Sequence, residues 1–263
     1  MIKFSVITIC LNAGKDLIET VNSTLEQTYN NFEIIVKDGI SVDGCIEMLP
    51  SDPRINLIVK KDKSLYDAMN QAIDAVTGDY VIFMNCGDLF YAKDTLEILA
   101  KAIQKDNALM YYGLCYNRMM DHVNVYPKKI TRLTCYRTMI CHQSTVYMSR
   151  LLKERKYDLS YKIYADREML LYLVCEKRID PVYVDTIVVN YKAGGECEKK
   201  EYKEQNIKDL KRMTDRYFSW SEQLKYKIMM AFTFSKIRAY FATNPKFSKY
   251  YYGMLKKIYS LKG

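Results

Sequence analysis

The segment Asp79-Tyr-Val-Ile-Phe-Met-Asn-Cys-Gly-Asp88 joins five apolar or aromatic residues to an abruptly polar end. The apolar part predicts a buried strand, which places Asn85 and Asp88 at its carboxyl end. In open α/β sheets, ligands bind at that edge. A carboxylate there is a hard oxygen ligand that suits a divalent cation still holding waters and substrate phosphates. A strand that ends in an ordinary polar turn is the other interpretation of this segment alone.

Strand and helix patterns alternate on both sides of this segment. Strand patterns lie at 4–10, 32–36, 55–59, 80–84, 109–116, 123–126, 143–148 and 182–189. Helix patterns lie near 17–25 and at 64–76, 93–104, 166–176 and 196–217, with a short helix or loop at 41–51. The alternation over the first hundred residues favours a mostly parallel α/β sheet with right-handed crossovers. The loops after Cys10, Val36 and Met84 then meet at the ligand edge.

Charge is unevenly distributed along the 263 residues. The chain carries 40 basic and 31 acidic residues, a net charge of +9. From Glu196 onward 16 residues are basic and 7 acidic, whereas residues 1–195 hold 24 of each. The tail from Tyr217 has 9 basic residues, Glu222 as its one acidic residue, and 13 of the 34 aromatic residues. This shift predicts a main domain at 1–195 and a helical, basic and aromatic extension at 196–263.

Two features of the composition bear on the compartment. No run approaches the roughly 20 apolar residues that span a bilayer. Met1-Ile-Lys-Phe leads into the first strand pattern without a signal-peptide hydrophobic region, so we expect a cytoplasmic protein. The eight cysteines form no C-x-x-C pair and several lie in apolar runs, which predicts reduced, buried thiols rather than disulfides or a zinc site.

Two further polar motifs each have a structural and a functional interpretation. Lys37-Asp38-Gly39 closes the second strand, where a carboxylate can accept a hydrogen bond from a base or a sugar hydroxyl, although Asp-Gly pairs also form plain turns. In the next helix, which Ser64 is expected to cap and Gly78 to end, Asp67 suits the dipole of the first turn. Asn70 is mildly unfavourable inside a helix and has no such explanation.

Six segments follow one another in a fixed order. They are Ser5-Val-Ile-Thr-Ile-Cys-Leu-Asn12, Lys37-Asp-Gly39 with Asp43-Gly44, Leu65-Tyr-Asp-Ala-Met-Asn70, Gly78-Asp-Tyr with Asn85-Cys-Gly-Asp88, Cys141-His-Gln-Ser144 and Tyr164-Ala-Asp-Arg-Glu168. Together they resemble family 2 glycosyltransferases of the GT-A fold, of the kind that builds bacterial surface polysaccharides. The resemblance covers about residues 1–190 and implies a Rossmann-like GT-A domain with a mostly parallel central sheet flanked by helices.

The resemblance implies a role for each matching residue. Asp38 holds the position of the aspartate that contacts the donor's nucleobase. Asp88 matches the last residue of the family's Asp-x-Asp metal motif, whereas Asn85 can offer the metal at most an amide oxygen. One carboxylate, two phosphates and waters can still complete a site for Mg²⁺ or Mn²⁺. The other expected substrate contacts are Asn12, Asp67, Asn70, His142, Gln143 and Glu168.

The implied reaction is displacement at the anomeric carbon of a nucleotide diphosphate sugar, with UDP-sugars favoured, by an acceptor hydroxyl. An inverting hexosyltransferase of this type needs a base for the hydroxyl proton and a cation for the departing diphosphate. Asp166 matches the family's base, although a helix-capping aspartate is its structural alternative. His142 matches a segment beside the acceptor and diphosphate, although a lone histidine after a strand is more often structural.

The tail 217–263 has a surface composition that suits anionic headgroups at a bilayer interface. Aromatic residues at helical spacing also pack onto a domain, and lysines also solvate a surface, which is the structural alternative. Family members that extend lipid-linked glycans need membrane contact. The resemblance therefore implies peripheral attachment to the inner face of the cell membrane, a lipid-linked glycan as acceptor and no nucleic-acid partner.

Two other functions fit parts of the sequence. A sugar-phosphate nucleotidyltransferase shares the α/β layout and metal dependence, but its phosphate loop is glycine-rich, whereas 11–16 has one glycine. A dinucleotide-binding enzyme would need G-x-G-x-x-G, which is absent. A membrane-binding or nucleic-acid-binding module with a degenerate transferase fold fits the basic tail and the incomplete metal motif. The intact carboxylates Asp38, Asp88 and Asp166 argue for an enzyme instead.

Overall fold

The computed structural model describes residues 1–193, 202–232, 235–244 and 246–260. Its strands are β1 (Phe4–Cys10), β2 (Phe32–Asp38), β3 (Ile55–Val59), β4 (Tyr80–Phe83), β5 (Leu89–Phe90), β6 (Met110–Asn117), β7 (His122–Asn124), β8 (Thr145–Met148) and β9 (Val182–Tyr191). Its helices are α1 (Lys15–Leu25), α2 (Leu65–Asp74), α3 (Thr95–Asp106), α4 (Arg132–Arg137), α5 (Ser149–Glu154), α6 (Ala165–Leu171), α7 (Lys203–Tyr217), α8 (Trp220–Phe232), α9 (Ser235–Thr243) and α10 (Ser248–Ser260).

The strands of the described ranges form one sheet in the order β3-β2-β1-β4-β8-β6-β9-β5, with β7 paired to β6. β3, β2, β1 and β4 are parallel, so their carboxyl ends meet at one edge, as the alternating pattern predicts. β8 runs antiparallel to both β4 and β6, while β9 is parallel to β6. The carboxyl-terminal half of the sheet is therefore mixed.

Both faces of the parallel strands are buried. In β1, Val6 faces the cluster that contains α1 and α3, whereas its neighbour Ile7 faces the cluster that contains α2 and α6. Ile34 and Ile35 of β2 divide between the two clusters in the same way. Successive strand residues point to opposite faces, so an unbroken apolar run requires helices on both sides of the sheet. This confirms the α/β layering expected from the sequence.

The helix α2 carries the predicted cap but ends earlier than expected. The Ser64 hydroxyl accepts a hydrogen bond from the Asp67 amide at 3.2 Å, as an N-cap residue does. The last helical residue is Asp74, so Gly78 does not end the helix. A Cβ atom on Gly78 would lie 2.7 Å from the Lys3 carbonyl oxygen. Glycine is needed there because the chain passes directly against β1.

Several boundaries differ from the sequence-based expectation. Residues 41–51 form turns without a helix, β7 covers 122–124 instead of 123–126, and β8 begins at Thr145 after a 3-10 turn at His142–Ser144. The helix expected at 166–176 is α6 followed by one π-helical turn at Tyr172–Glu176. The short elements β5, α4 and α5 were not expected, because two to six residues are too few to show a periodic pattern.

The helices after the sheet pack onto it. Met213, Tyr217 and Phe218 at the end of α7 are buried in the same cluster as residues of α2 and α6. Tyr252 of α10 stacks on His122 of β7, with ring centroids 4.2 Å apart. The start of the helix expected at 196–217 and the expected boundary between 195 and 196 both lie outside the described residues. The division into two domains stays a prediction.

The described helices and cysteines bear on the expectations about membrane spans and disulfides. Across the described ranges, no helix is both long enough and apolar enough to cross a membrane. The seven cysteines within those ranges are free thiols, and four of them are buried. Cys197 lies outside the described residues.

Candidate active site

A cavity of about 1010 Å³ opens at the edge where β1 and β4 end. Among the parts of the chain that line it are the segment after β4, the 3-10 turn at 142–144 and the start of α6. Five residues expected from the sequence line it, namely Asn85, Asp88, His142, Gln143 and Asp166. The other expected residues, namely Asn12, Asp38, Asp67, Asn70 and Glu168, are not among those that line it.

Asp88 is held in place by protein donors on both carboxylate oxygens. Its Oδ1 accepts a hydrogen bond from the Lys192 amide at 2.8 Å, and its Oδ2 accepts one from Gln143 Nε2 at 2.9 Å. The side chain is 3% exposed. Burial raises the pKa of the Asp88 carboxyl to about 6, against the lowering effect of these hydrogen bonds and of the positive charge on Arg118. Asp88 is therefore largely ionised at pH 7, but at an energetic cost.

The residue before Asp88 has to be glycine. Gly87 has a φ of +89°, and a Cβ atom there would lie 2.5 Å from Lys192 Cδ. Lys192 in turn forms an ion pair with Asp16 at 2.5 Å. The Gly87 amide donates hydrogen bonds to Thr20 Oγ1 at 2.8 Å and to the Asp16 carbonyl at 3.1 Å. Gly87 thus allows a lysine and an aspartate to lie close to the backbone beside Asp88.

Asn85 and His142 form a hydrogen-bonded pair on the cavity wall. Asn85 Nδ2 lies 3.2 Å from His142 Nε2, and the imidazole stacks on Phe83 with ring centroids 5.8 Å apart. Burial lowers the pKa of His142, against the raising effect of Asp166, so the ring is neutral at pH 7. Asn85 Oδ1 and His142 Nδ1 are buried and have no hydrogen-bond partner among the described residues.

The oxygen atoms near Asp88 fit a divalent cation that takes most of its ligands from elsewhere. Within the described ranges, no group of three or more His, Cys, Asp or Glu side chains is placed to hold a metal ion. The unpartnered oxygen of Asn85 and the carboxylate of Asp88 line the same cavity. Two protein oxygens suit Mg²⁺ or Mn²⁺ when phosphates and waters complete the coordination.

Asp166 lies at the start of α6 with one oxygen anchored. Its Oδ1 accepts hydrogen bonds from the Tyr66 hydroxyl and the Arg167 amide, both at 2.9 Å. Burial and the charge of Asp166 raise the pKa of Tyr66 well above its ordinary value, so the phenol stays protonated as a donor. Oδ2 of Asp166 accepts no hydrogen bond from the part of the chain that the structure describes. A substrate hydroxyl can therefore approach this oxygen.

Asp38 lies at the end of β2, where its carboxylate organises the following loop. Oδ2 accepts hydrogen bonds from the amides of Ile40 and Ser41, both at 2.9 Å, and Oδ1 accepts one from the Ser41 hydroxyl at 2.5 Å. Ile40 has a φ of +72°, which is strained for a β-branched residue. Such strain is concentrated at functional sites. The predicted contact of Asp38 with a nucleobase stays a prediction.

Asn12 joins the loop after β1 to the loop after β2. Its side-chain oxygen accepts a hydrogen bond from the Val42 amide at 2.9 Å, and its backbone amide donates one to Ser41 Oγ at 2.7 Å. Asn12 also has a positive φ of 50°. These contacts hold the two loops together at the cavity edge, so Asn12 supports the loop on which Asp38 acts.

Asp67 and Asn70 contact protein groups in the structure. Asp67 Oδ2 accepts a hydrogen bond from the Lys63 amide at 2.8 Å, at the start of α2. Two hydrogen bonds between the Asn70 amide group and the backbone of Tyr157, at 2.8 and 2.9 Å, explain why an asparagine lies inside the helix. Both residues position elements around the cavity, and their direct contact with substrate stays a prediction.

Glu168 is fully buried in an ionic cluster. Arg155 Nη2 donates to both of its carboxylate oxygens, at 2.7 and 2.8 Å, and the Tyr217 hydroxyl donates to Oε1. Glu168 therefore ties α6, which carries Asp166, to the region of α5 and to α7. These partners already occupy the carboxylate in the structure. The contact of Glu168 with the acceptor stays a prediction.

Sequence reasoning missed several charged residues of the cavity wall. They are Asp16, Asp62, Lys63, Lys162 and Lys192. Lys192 follows the carboxyl end of β9, and this strand was expected, but its place beside β6 was not. The signal that could have identified Lys192 is its position directly after the carboxyl end of β9, since Asp88 also lies in a segment that follows a strand. The lysines offer positive charge to an anionic ligand.

The sequence profile described as Glycosyl transferase family 2 matches residues 5–167. A glycosyltransferase of Mycobacterium bovis and Mycobacterium tuberculosis, named for PGL/p-HBAD biosynthesis, is 28% identical over 199 residues, which is 73% of this chain and 77% of the relative. The match to this relative spans most of both chains, and the profile match at residues 5–167 includes Asp88 and Asp166.

Two groups of solved structures share the fold. Residues 1–349 of Staphylococcus aureus TarS, in complex with UDP-GlcNAc, superpose with a TM-score of 0.63 at 18% identity over 93% of this chain and 74% of that one. Against a longer TarS structure, this chain spans only 37% of the other chain. The mannosyltransferase PcManGT of Pyrobaculum calidifontis, with GDP-Man and Mn²⁺, gives a TM-score of 0.59 at 15% identity over 81% of this chain and 63% of that one.

Proposed function

Because this chain belongs to glycosyl transferase family 2 and is a glycosyltransferase, we propose that it moves a sugar from a nucleotide diphosphate donor to an acceptor hydroxyl with inversion. The observation that carries the proposal is that Asp88 and Asp166 line one cavity at the carboxyl edge of the sheet. The family assignment favours this enzyme over the nucleotidyltransferase and over the non-enzymatic binding module.

Asp166 is the proposed base. Its free oxygen takes the proton of the acceptor hydroxyl while the hydroxyl oxygen bonds to the anomeric carbon and the bond from that carbon to the diphosphate breaks. A single displacement of this kind inverts the anomeric configuration. The hydrogen bonds from Tyr66 and Arg167 fix the other oxygen, which orients the carboxylate for proton transfer.

The part of the cavity around Asp88 is the proposed diphosphate site. Asp88 and Asn85 would hold Mg²⁺ or Mn²⁺, which supplies positive charge to the departing diphosphate when it is bound. Lys192, which pairs with Asp16, adds a cation from the chain itself, and the neutral His142 lines the same cavity. The Mn²⁺ and GDP-Man of the PcManGT structure, which has a similar fold, support a divalent cation as the partner of the donor.

We propose a uridine diphosphate sugar as the donor. The support is the UDP-GlcNAc bound in the TarS structure of similar fold. The paired loops that carry Asn12 and Asp38 are the proposed nucleotide side of the cavity, and the strained backbone at Ile40 supports a functional role for that loop.

The first test is a thermal-shift screen of nucleotide sugars with and without Mn²⁺. A ligand that binds the native state raises its unfolding temperature, so the true donor should give the largest rise, and the rise should increase with Mn²⁺.

With that donor, we expect Asp166→Asn to lower turnover by about 10²- to 10⁴-fold and to retain donor binding. Asp185→Asn, which changes an exposed carboxylate on β9, is the control. Full turnover in Asp166→Asn would refute the assignment of the base.

The acceptor is proposed to be a lipid-linked glycan on the inner face of the cell membrane. The two longer tail helices each expose an apolar ridge with four-residue spacing, formed by Trp220, Leu224 and Ile228 on α8 and by Tyr250, Met254 and Ile258 on α10. From Tyr217 onward, nine basic residues accompany a single acidic one. Apolar ridges beside positive charge suit an anionic bilayer surface.

A flotation assay tests the membrane contact. We expect the protein to float with vesicles that contain phosphatidylglycerol at low salt, less so at high salt, and not with neutral vesicles. The variant Leu224→Ser/Ile228→Ser should bind less, whereas Leu57→Ser/Val59→Ser, a similarly exposed pair on β3, should bind as the unchanged protein does. Absence of flotation at low salt, or a dimer that buries these ridges, would overturn the proposal.

A further inference from the structure

A second cavity, of about 590 Å³, lies where the carboxyl-terminal helices meet the sheet. Its inner wall is the segment after β7 together with α4, and its outer wall comes from α8, α9 and α10. Asn124, Tyr126 and Met139 line both this cavity and the larger one that contains Asp166. The two cavities are therefore neighbours that share a wall.

Specific contacts fix the outer wall on the rest of the molecule. On α8, Glu222 accepts hydrogen bonds from Arg132 Nε at 2.8 Å and Nη2 at 3.0 Å. On α10, Lys249 pairs with Asp121 at 2.6 Å, next to the stacked rings of Tyr252 and His122. Three contacts on two helices give the cavity a defined shape, as a binding site requires.

The lining combines positive charge with apolar and aromatic surface. Arg137 of α4 and Arg238 of α9 line the cavity, and no carboxylate is among the described lining residues. The larger apolar and aromatic members include Tyr126, Leu133, Met139, Met230, Tyr252 and Leu255. Arginine binds phosphate through several donors at once. The lining therefore matches a phosphate ester attached to a hydrocarbon chain.

We propose that this second cavity binds the phosphate-bearing part of the acceptor, an amphiphile whose sugar hydroxyl reaches Asp166 past the shared wall. The Tyr126 hydroxyl in that wall accepts a hydrogen bond from the Cys141 amide at 3.1 Å, directly before the turn that carries His142. The site thus adjoins the reacting groups. The inference rests on the proposed function, because it assigns the acceptor of the same reaction.

The test measures binding of farnesyl diphosphate, below its micelle concentration, to the full chain by calorimetry. The thermal-shift screen identifies the nucleotide sugar that binds best. The nucleoside diphosphate of that sugar donor is present at saturation with Mn²⁺, so the larger cavity is already filled. We expect one molecule to bind, and Arg137→Ala/Arg238→Ala to weaken binding about tenfold or more without changing nucleotide affinity. Arg137→Lys/Arg238→Lys, which keeps both charges, should weaken binding less than the alanine pair does, which keeps the test valid if the alanine variant misfolds. Arg150→Ala, an exposed arginine of α5, is the control.

Comparison ligands separate the sources of the phosphate. Inorganic pyrophosphate or farnesol binding as tightly as farnesyl diphosphate would overturn the inference, and so would equal binding by short-chain phosphatidylglycerol, which represents the bulk membrane. Unchanged affinity in Arg137→Ala/Arg238→Ala would also overturn it. If the nucleotide binds and farnesyl diphosphate does not, the inference fails while the proposed function stands. If no nucleotide sugar binds the unchanged protein, the proposed function itself fails.

Discussion

Gly87 shows how one residue controls the cavity wall. Its positive φ and the 2.5 Å approach to Lys192 Cδ leave no room for a side chain. We expect Gly87→Ala to destabilise the protein by about 1–2 kcal/mol through backbone strain. It should also displace Lys192 from Asp16 and thereby weaken nucleotide diphosphate binding. Chemical denaturation and nucleotide titration measure the two effects.

Gly44 supplies the matched control for this prediction. It also has a positive φ, of 78°, but a Cβ atom there would meet nothing within 4 Å. Gly44 belongs to a loop proposed for the nucleotide, so Gly44→Ala is a control for the backbone cost alone, measured by chemical denaturation. A loss of stability in Gly87→Ala no larger than that in Gly44→Ala would show that strain alone, rather than the contact with Lys192, sets the cost.

Asp88 carries a pH-dependent energetic cost, and the proposed role as a metal ligand needs the charged form that incurs it. Its pKa is raised from the ordinary 3.8 to about 6, so the neutral form favours folding below pH 3.8 and this contribution is lost as the pH rises through 6. The stability of Asp88→Asn relative to the unchanged protein should therefore rise by on the order of 1–3 kcal/mol between pH 4 and pH 7, because only the carboxyl ionises. The amide nitrogen of the variant faces one of the two N–H donors, which adds a cost that does not vary with pH. Denaturation curves across this range, with loss of the Mn²⁺-dependent nucleotide shift at pH 7, provide the check.

An ion pair between Arg132 and Glu222 contributes to the attachment of α8, beside the packing of Tyr226 on Tyr136 and Phe218. Hydrogen bonds from Arg132 lower the pKa of Glu222 from 4.5 to about 2, so its contribution is present above pH 4.5 and is lost as the pH falls toward 2. The side chains of Arg132 and Glu222 are 36% and 32% exposed, and solvent screening limits the contribution to about 1 kcal/mol. Glu222→Gln should lower stability by this amount at pH 7, and the difference should shrink below pH 4.5. A constant difference down to pH 3 would contradict the role of this ion pair.

The sequence predicts an element well where its residues are mostly apolar or β-branched. β1 and β3 match their expected bounds to the residue, because such a run is a local property that one or two polar residues do not hide. The antiparallel direction of β8 was not predictable, since it depends on how β4 and β6 flank it. The six-residue helices α4 and α5 are too short for a helical period.

The same division holds for the candidate site. Asp88 and Asp166 were identified from motifs, and both line one cavity in the structure. Asp88 follows an apolar strand pattern and Asp166 begins a helical pattern, and both patterns are visible in the sequence. Lys192 was missed because its place depends on the pairing of β9 with β6. The internal partners of Asn70 and Glu168 were also invisible, since Tyr157 and Tyr217 are distant along the chain.

At the scale of the whole molecule, α7 completes the core. Met213, Tyr217 and Phe218 are at most 8% exposed. Burial of a large apolar side chain contributes about 1.5–3 kcal/mol, so loss of all three is comparable to the net stability of a domain. A chain shortened to residues 1–193 should therefore unfold at a much lower temperature, whereas residues 1–219 should keep the fold and nucleotide binding but lose flotation with vesicles. Equal melting temperatures for the unchanged protein and residues 1–193 would show that α7 is dispensable.

The bond between Tyr217 and Glu168 has a consequence for recombination among relatives. Glu168 lies two residues from the proposed base and is fully buried, and Tyr217 belongs to the helices that follow the sheet. Loss of the Tyr217 hydroxyl would remove one of the hydrogen bonds that satisfy this buried carboxylate, so the two positions are expected to change together during evolution. A chimera that joins this sheet to the helices of another relative should be cut after residue 218, so that the tyrosine is inherited with its glutamate.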